Sequence, residues 1–152
     1  METAKRSASQ VAAQATVPED DPSSTSNQSI DASSGDTGEV IPILRVSSAA
    51  ASFEQLYSKL GFKREWEHRF EPHLPAFVEI SNGNMRLFLS EHTGDATPNT
   101  LVFFRVPDVD AFVAGLEGVE VVDVPEIGMR DCEVTDLDGN RIRIGTRLKE
   151  RS

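Results

Sequence analysis

The chain has one cysteine, Cys132, among its 152 residues. An internal disulfide is therefore excluded, and a reducing cytoplasmic setting is expected. Cys132 falls in a strand pattern, so an apolar space-filling role is expected of it rather than a nucleophilic one. No stretch approaches the ~20 apolar residues that span a bilayer, so no membrane partner is expected. Basic charge is scarce: 15 Lys and Arg stand against 25 Asp and Glu, a formal −10. A negative field of that size disfavours nucleic acid as a partner. There is no Gly-rich phosphate loop, Walker motif or Cys/His zinc spacing. Apolar residues reach only 38% of the chain, and the shortfall lies in residues 1–38, mostly Ser, Thr, Ala, Gln, Asp and Gly. Such a stretch cannot bury enough surface to offset its ordering entropy, so a disordered N-terminal tail is expected. Lys5 and Arg6 are not followed by an apolar run, which argues against a signal peptide. This tail carries a net −4 and leaves −6 for the rest.

What remains can form one compact domain over residues 39–148, with a C-terminal tail at 149–152. Val40–Val46 reads as a strand, at an edge or with Pro42 near its start, because proline cannot donate to a ladder. Ser47–Leu60 has Phe53, Leu56, Tyr57 and Leu60 at helical spacing, with Ser48 or Ser52 as cap and Gly61 as stop. Phe62–Phe70 alternates, with Phe62, Arg64, Trp66, His68 and Phe70 on one expected face. Ala76–Ser81 and Asn84–Ser90 flank a hairpin turn at Asn82-Gly83. After a polar linker the order returns. Thr100–Val106 is a strand, and Asp108 caps a helix carrying Val109, Phe112, Val113 and Leu116. Val119–Val122 is a strand, and a second hairpin turns at Asp138-Gly139.

Ile43-Leu44-Arg45-Val46 matches Phe103-Phe104-Arg105-Val106 sixty positions on, and Asn82-Gly83-Asn84 answers Asp138-Gly139-Asn140. The chain is internally duplicated. Three stretches carry a resemblance over about Val40–Leu148: Phe53-x-x-Leu56-Tyr57-x-x-Leu60-Gly61-Phe62, then Val106-Pro107-Asp108-Val109-Asp110, then Gly128-Met129-Arg130 with Asp136-Leu137-Asp138-Gly139-Asn140. Together they resemble the vicinal oxygen chelate superfamily of glyoxalases, dioxygenases and bleomycin-resistance proteins. The last stretch is most similar to the bleomycin-resistance branch, although Leu137 stands where that branch often has proline. The resemblance implies an α+β fold of two tandem βαβββ modules, about residues 40–90 and 100–147, forming a curled mixed sheet around a cleft.

In metal-dependent members the resemblance places ligands on the first and last strands of each module. Here those positions are Ile41, the Arg86–Phe88 stretch, Leu101 and Arg143. Arginine offers donors only, and isoleucine, leucine and phenylalanine offer none of the lone pairs a divalent ion needs. No metal and no other cofactor is expected, and metal-dependent catalysis is disfavoured. His68, His73 and His92 with Glu71 or Glu91 are the candidates for a rebuilt site, and Glu79 or His68 for metal-free acid–base chemistry. Asp136 and Asp138 read as turn residues. Strand parity instead implies a cleft lined by Trp66, Phe70, Phe88 and Phe103, with Phe62 beside them, and by Arg45, Arg105 and Arg143. Aromatic walls suit a small planar molecule. In the bleomycin branch the resemblance implies a homodimer that sequesters a bleomycin-type antibiotic, whose cationic tail meets acidic surface. The arginines suit a carboxylate-bearing ligand better. Three readings stay open: a metal-free binding protein, an enzyme with a rebuilt site, and a dimeric interaction module.

Overall fold

The computed structural model describes residues 37–149. The expected tail at 1–38 falls almost wholly outside the described residues, as do the last three residues of the tail at 149–152. The first module is β1 (Ile43–Arg45), α1 (Ala49–Gln55), β2 (Lys63–His68), β3 (Phe77–Asn82) and β4 (Met85–Ser90). The second is β5 (Leu101–Arg105), α2 (Val109–Phe112), β6 (Val122–Val124), β7 (Met129–Thr135) and β8 (Arg141–Arg147). The strand orders are β1-β4-β3-β2 and β5-β8-β7-β6. In each sheet the first strand runs parallel to the last and the other pairs are antiparallel. These are two equivalent βαβββ modules, and the fold class is α+β. Pro42 precedes β1, an edge strand, where its missing N–H leaves no gap in the sheet.

Alternation on each strand sends one row of apolar side chains inward. Leu44, Val78, Ile80, Leu87 and Leu89 of the first sheet meet Phe104, Cys132, Val134, Ile142 and Ile144 of the second in one shared core. Leu56, Tyr57 and Leu60 from the first module and Val109 and Val113 from the second pack into the same core. Cys132 is a buried free thiol whose pKa burial pushes up, in keeping with a packing role. The modules are also joined by polar contacts. Tyr57 donates its hydroxyl to Asp136 Oδ2 at 2.8 Å, and Asn140 Nδ2 donates to the Arg45 carbonyl at 2.8 Å. The Ser47 N–H donates to Asp138 Oδ1 at 3.0 Å.

Several local features differ from the sequence expectation. Ser48 caps α1 and Gly61, at φ 90°, closes the segment, but the expected single helix divides. Leu56 leaves helical geometry at φ −133°, and Tyr57–Leu60 continue as a 3-10 turn. The break lets the sequence neighbours Leu56 and Tyr57 both enter the core. Helix α2 ends at Phe112, a turn before Leu116. Strand β6 starts at Val122 rather than Val119, because Val119 and Val121 pack against the core instead of joining the sheet. The first hairpin turns at Gly83-Asn84, one residue late, with only Gly83 at positive φ. The second is a five-residue loop over 136–140 rather than a two-residue turn. The Asp136 side chain closes it by accepting from the N–H groups of Asp138 (2.8 Å) and Asn140 (3.0 Å).

The largest departure is in β2. Its register to β3 slips between Arg64 and Trp66, so Glu65 is an extra residue in a β-bulge. Side chains before and after a bulge face opposite ways. Phe62 is therefore buried in the main core, while Trp66 turns to the other face of the sheet. The expected single face from Phe62 through Trp66 to Phe70 does not exist.

Candidate ligand-binding site

Each sheet has an inner face on the core and an outward face, and on the first sheet the segment after β4 covers part of the outward face, with Asp95 buried against the Ser90 hydroxyl. On the first sheet, one cross-strand row of the outward face is Ile43, Phe88, Glu79 and Trp66, and the next is Arg45, Ser90, Phe77 and His68. Trp66, Phe77 and Phe88 form a small cluster apart from the main core, with Ile43 beside them. Their ring centroids lie 6.1 Å (Trp66–Phe77), 6.0 Å (Trp66–Phe88) and 4.8 Å (Phe77–Phe88) apart. Phe77 is buried beneath the other two, so Trp66 and Phe88, both half-buried, are the rings that a flat molecule could meet. Phe77 was absent from the sequence expectation, and its signal was there: it alternates with Glu79 and lies opposite Ser90, on the face of Phe88. Phe70 lies past the end of β2, 55% exposed, with its ring edge-on to His68 at 4.7 Å. It extends the surface without joining the cluster.

On the second sheet the outward rows are Leu101, Arg141 and Thr135, then Phe103, Arg143 and Glu133, then Arg105, Gly145 and Asp131. Phe103 and Leu101 are 40% and 43% exposed, high values for large apolar side chains. Arg141 Nε donates to Glu133 Oε2 at 2.7 Å, and Arg143 reaches the other oxygen at 3.2 Å. The Arg141 guanidinium, with Arg143, holds the Glu133 carboxyl below the usual carboxylate range. The first sheet repeats the pairing, with Arg86 donating to Glu79 at 2.8 Å. Each module thus ties the glutamate of its third strand to the first arginine of its fourth. The shared core separates the two outward faces, so one chain does not bring Trp66 and Phe88 together with Phe103.

The sequence matches the profile of the family described as glyoxalase superfamily protein over residues 31–150. The chain belongs to the glyoxalase superfamily. No curated protein matches it. Among solved structures, this glyoxalase-superfamily chain is similar to TnmS3, an antibiotic binding protein from Streptomyces sp. CB03234. Identity is 22%, the TM-score is 0.58, and the alignment covers 74% of this chain and 98% of that one. It is similar to a bleomycin-binding protein complexed with bleomycin at 18% identity and TM-score 0.56, covering 75% and 100% of the two chains. Lactoylglutathione lyase from Agrobacterium tumefaciens is similar at 15% identity and TM-score 0.57, covering 73% and 95%. At these identities the likeness is one of fold, shared by binders and an enzyme alike.

The side chains at the superfamily's metal-ligand positions do not fit a divalent cation. Arg86 is committed to Glu79, Phe88 packs in the aromatic cluster, Leu101 is exposed and Arg143 is bound to Glu133. Among the described residues no group of three or more His, Cys, Asp and Glu side chains is placed to share a metal. His73 sits 3.8 Å from Glu71 on an exposed loop. Glu91 accepts from the N–H groups of Ala49 (2.8 Å) and Ala76 (2.9 Å), which makes it a brace. His68 lies on the outward face, with Nε2 buried and unpartnered. Asp136 is buried and bonded to Tyr57, Asn140 and the backbone, so it joins the modules. Burial, reinforced by Asp136, raises the Tyr57 pKa well above its ordinary value. No helix among the described residues is long and apolar enough to cross a membrane.

Proposed function

We propose that this chain is a metal-free binding protein that takes a small planar molecule, of the antibiotic class its structural relatives bind, and holds it unchanged. The observation that carries the reading is the aromatic cluster outside the main core on an outward sheet face, where half-buried Trp66 and Phe88 rest on buried Phe77. The exposed Phe103 and Leu101 supply a second apolar surface on the other sheet. Two copies complete each other, the first sheet of one protomer facing the second sheet of its partner around a cleft. That arrangement unites Trp66, Phe70, Phe88 and Arg45 with Phe103, Arg105 and Arg143, which one chain keeps apart. Acid–base catalysis finds little support, since Glu79 is tied to Arg86.

The test is titration of the purified protein with metal-free and copper-loaded bleomycin, followed by heat and by fluorescence of Trp66, the sole tryptophan. Saturable quenching, with the compound recovered intact by chromatography, is the expected result. Phe103→Ala and Phe88→Ala should each weaken binding by roughly tenfold, the scale of one lost aromatic contact. Absence of heat and quenching at high drug concentration would remove bleomycin as the ligand. Conversion of the compound to product would favour the enzymatic reading.

A further inference from the structure

The arginines of the second sheet divide into two kinds. Arg141 and Arg143 share Glu133. Arg105 and Arg147 are exposed and form no ion pair with another described residue. Both line one groove, together with Val106, Pro107 and Thr146. The Thr146 hydroxyl is already committed, accepting from the Val109 N–H at 2.6 Å and donating to the Val106 carbonyl at 3.0 Å. The two guanidinium groups are left as the uncommitted side-chain donors of the groove.

Gly145 places them beside an aromatic ring. It pairs with Arg105 across the sheet and precedes Arg147 by two residues on the same face. With no side chain there, the Phe103 ring lies over the strand, and a Cβ on Gly145 would stand 2.8 Å from Phe103 Cζ. The duplicated position of the first module also carries an arginine. Arg45 is opposite Ser90, another small residue, and its Nε is buried without a partner. Uncommitted arginine beside a ring, in a chain of formal charge −10, is a local reversal of the molecule's general field. Guanidinium forks match carboxylate and phosphate oxygens, and the neighbouring ring offers a stacking surface. Asp131 flanks Gly145 on the side away from Arg105 and confines the positive region to the Arg105–Arg147 side.

We propose that Arg105 and Arg147 hold the carboxylate or phosphate of a flat ligand whose ring lies on Phe103. This rests on the planar-ligand reading above and gives that ligand a charge. It sets the chain apart from a receptor for a purely cationic drug.

The experiment titrates the full chain with 2-naphthoate, 2-naphthyl phosphate and neutral 2-naphthamide, followed by heat and Trp66 quenching. At least one of the two anions should bind about tenfold or more tightly than the amide, as charge-assisted hydrogen bonds imply. Which anion binds better identifies the group the groove takes. The preference should fall towards one in the Arg105→Gln/Arg147→Gln double variant and partly return in the Arg105→Lys/Arg147→Lys variant. Asp131→Asn should increase it, and added salt should reduce it. Equal binding of all three compounds, or a preference that survives the double glutamine variant, would overturn the anion site and leave the planar-ligand reading standing. Failure of all three to bind would overturn both. Thermal unfolding of each variant checks that these substitutions leave the fold intact.

Discussion

Tyr57 is the only tyrosine in the chain, fully buried between the modules, with its hydroxyl on Asp136. Burial first, and the Asp136 carboxylate second, raise its pKa above the unfolded value. The folded state therefore keeps a proton that the unfolded state loses above about pH 10. The stability this group contributes is complete below that pH and is lost as pH rises beyond it. Alkaline titration at 295 nm should show no tyrosinate signal until the far-ultraviolet dichroism collapses. A smooth titration in the intact fold would contradict the burial. Gly139 offers a second check at this scale. It has φ 86°, and an added Cβ would meet Asn99 Oδ1 at 2.1 Å. Gly139→Ala should cost about 1–2 kcal/mol from the strained backbone, and more if Asn99 cannot move, measured by denaturant unfolding.

Among the elements, β2 decides whether there is an outward aromatic cluster at all. Its bulge turns Trp66 outward while Phe62 stays in the core. Removing Glu65, the extra residue, would leave Arg64 opposite Ile80 and Trp66 opposite Glu79 in an unbroken register. A Glu65 deletion should therefore fold, keep the Trp66 emission maximum within a few nanometres and lose the Ser81 and Lys63 contacts, with a small drop in the denaturant midpoint. A large shift in emission would show that pairing opposite Glu79 does not by itself hold the indole outward. The strands were legible from alternation and the helix cap Asp108 from its chemistry, while Ser48 was one of two candidates, with Ser52, for the first cap. The bulge was not, because Lys63-Arg64-Glu65-Trp66-Glu67-His68 alternates well enough to pass for a regular strand, and only pairing with β3 exposes the slip. The loop after β7 was misjudged for a related reason. Asp138-Gly139 has the composition of a tight turn, but Asp136 closes a wider one with its side chain.

For the molecule as a whole, the apolar side chains left exposed on the two outward faces matter most. Leu101, Phe103, Phe70 and Val122 are exposed, and the Trp66 cluster lies apart from the main core. Large apolar side chains left exposed on both outward faces favour association. Sedimentation should show a concentration-dependent dimer, and Leu101→Glu/Phe103→Glu should yield a folded monomer. A wild-type chain that stays monomeric at high concentration would remove the shared cleft. Acid should weaken the fold as well. The Ser81 hydroxyl lowers Glu65, Arg130 lowers Asp110 and Arg141 lowers Glu133 relative to free carboxylates. Depressed folded pKa values contribute stability above the unfolded value, lost as pH falls below about 4.

The sequence by itself determined the duplication, the α+β class, the shared inward rows and the unsuitability of Ile41, Arg86, Leu101 and Arg143 as metal ligands. These follow from periodicity and donor chemistry, which are local properties of the chain. Tertiary structure decided which aromatic residues share a surface and which arginines are uncommitted. Trp66 joins Phe77 and Phe88 through its pairing opposite Glu79, and Arg105 differs from Arg143 only because Glu133 lies across the strand from one and not the other. Such partnerships are set by register between strands distant in sequence, and composition along one strand carries no record of them.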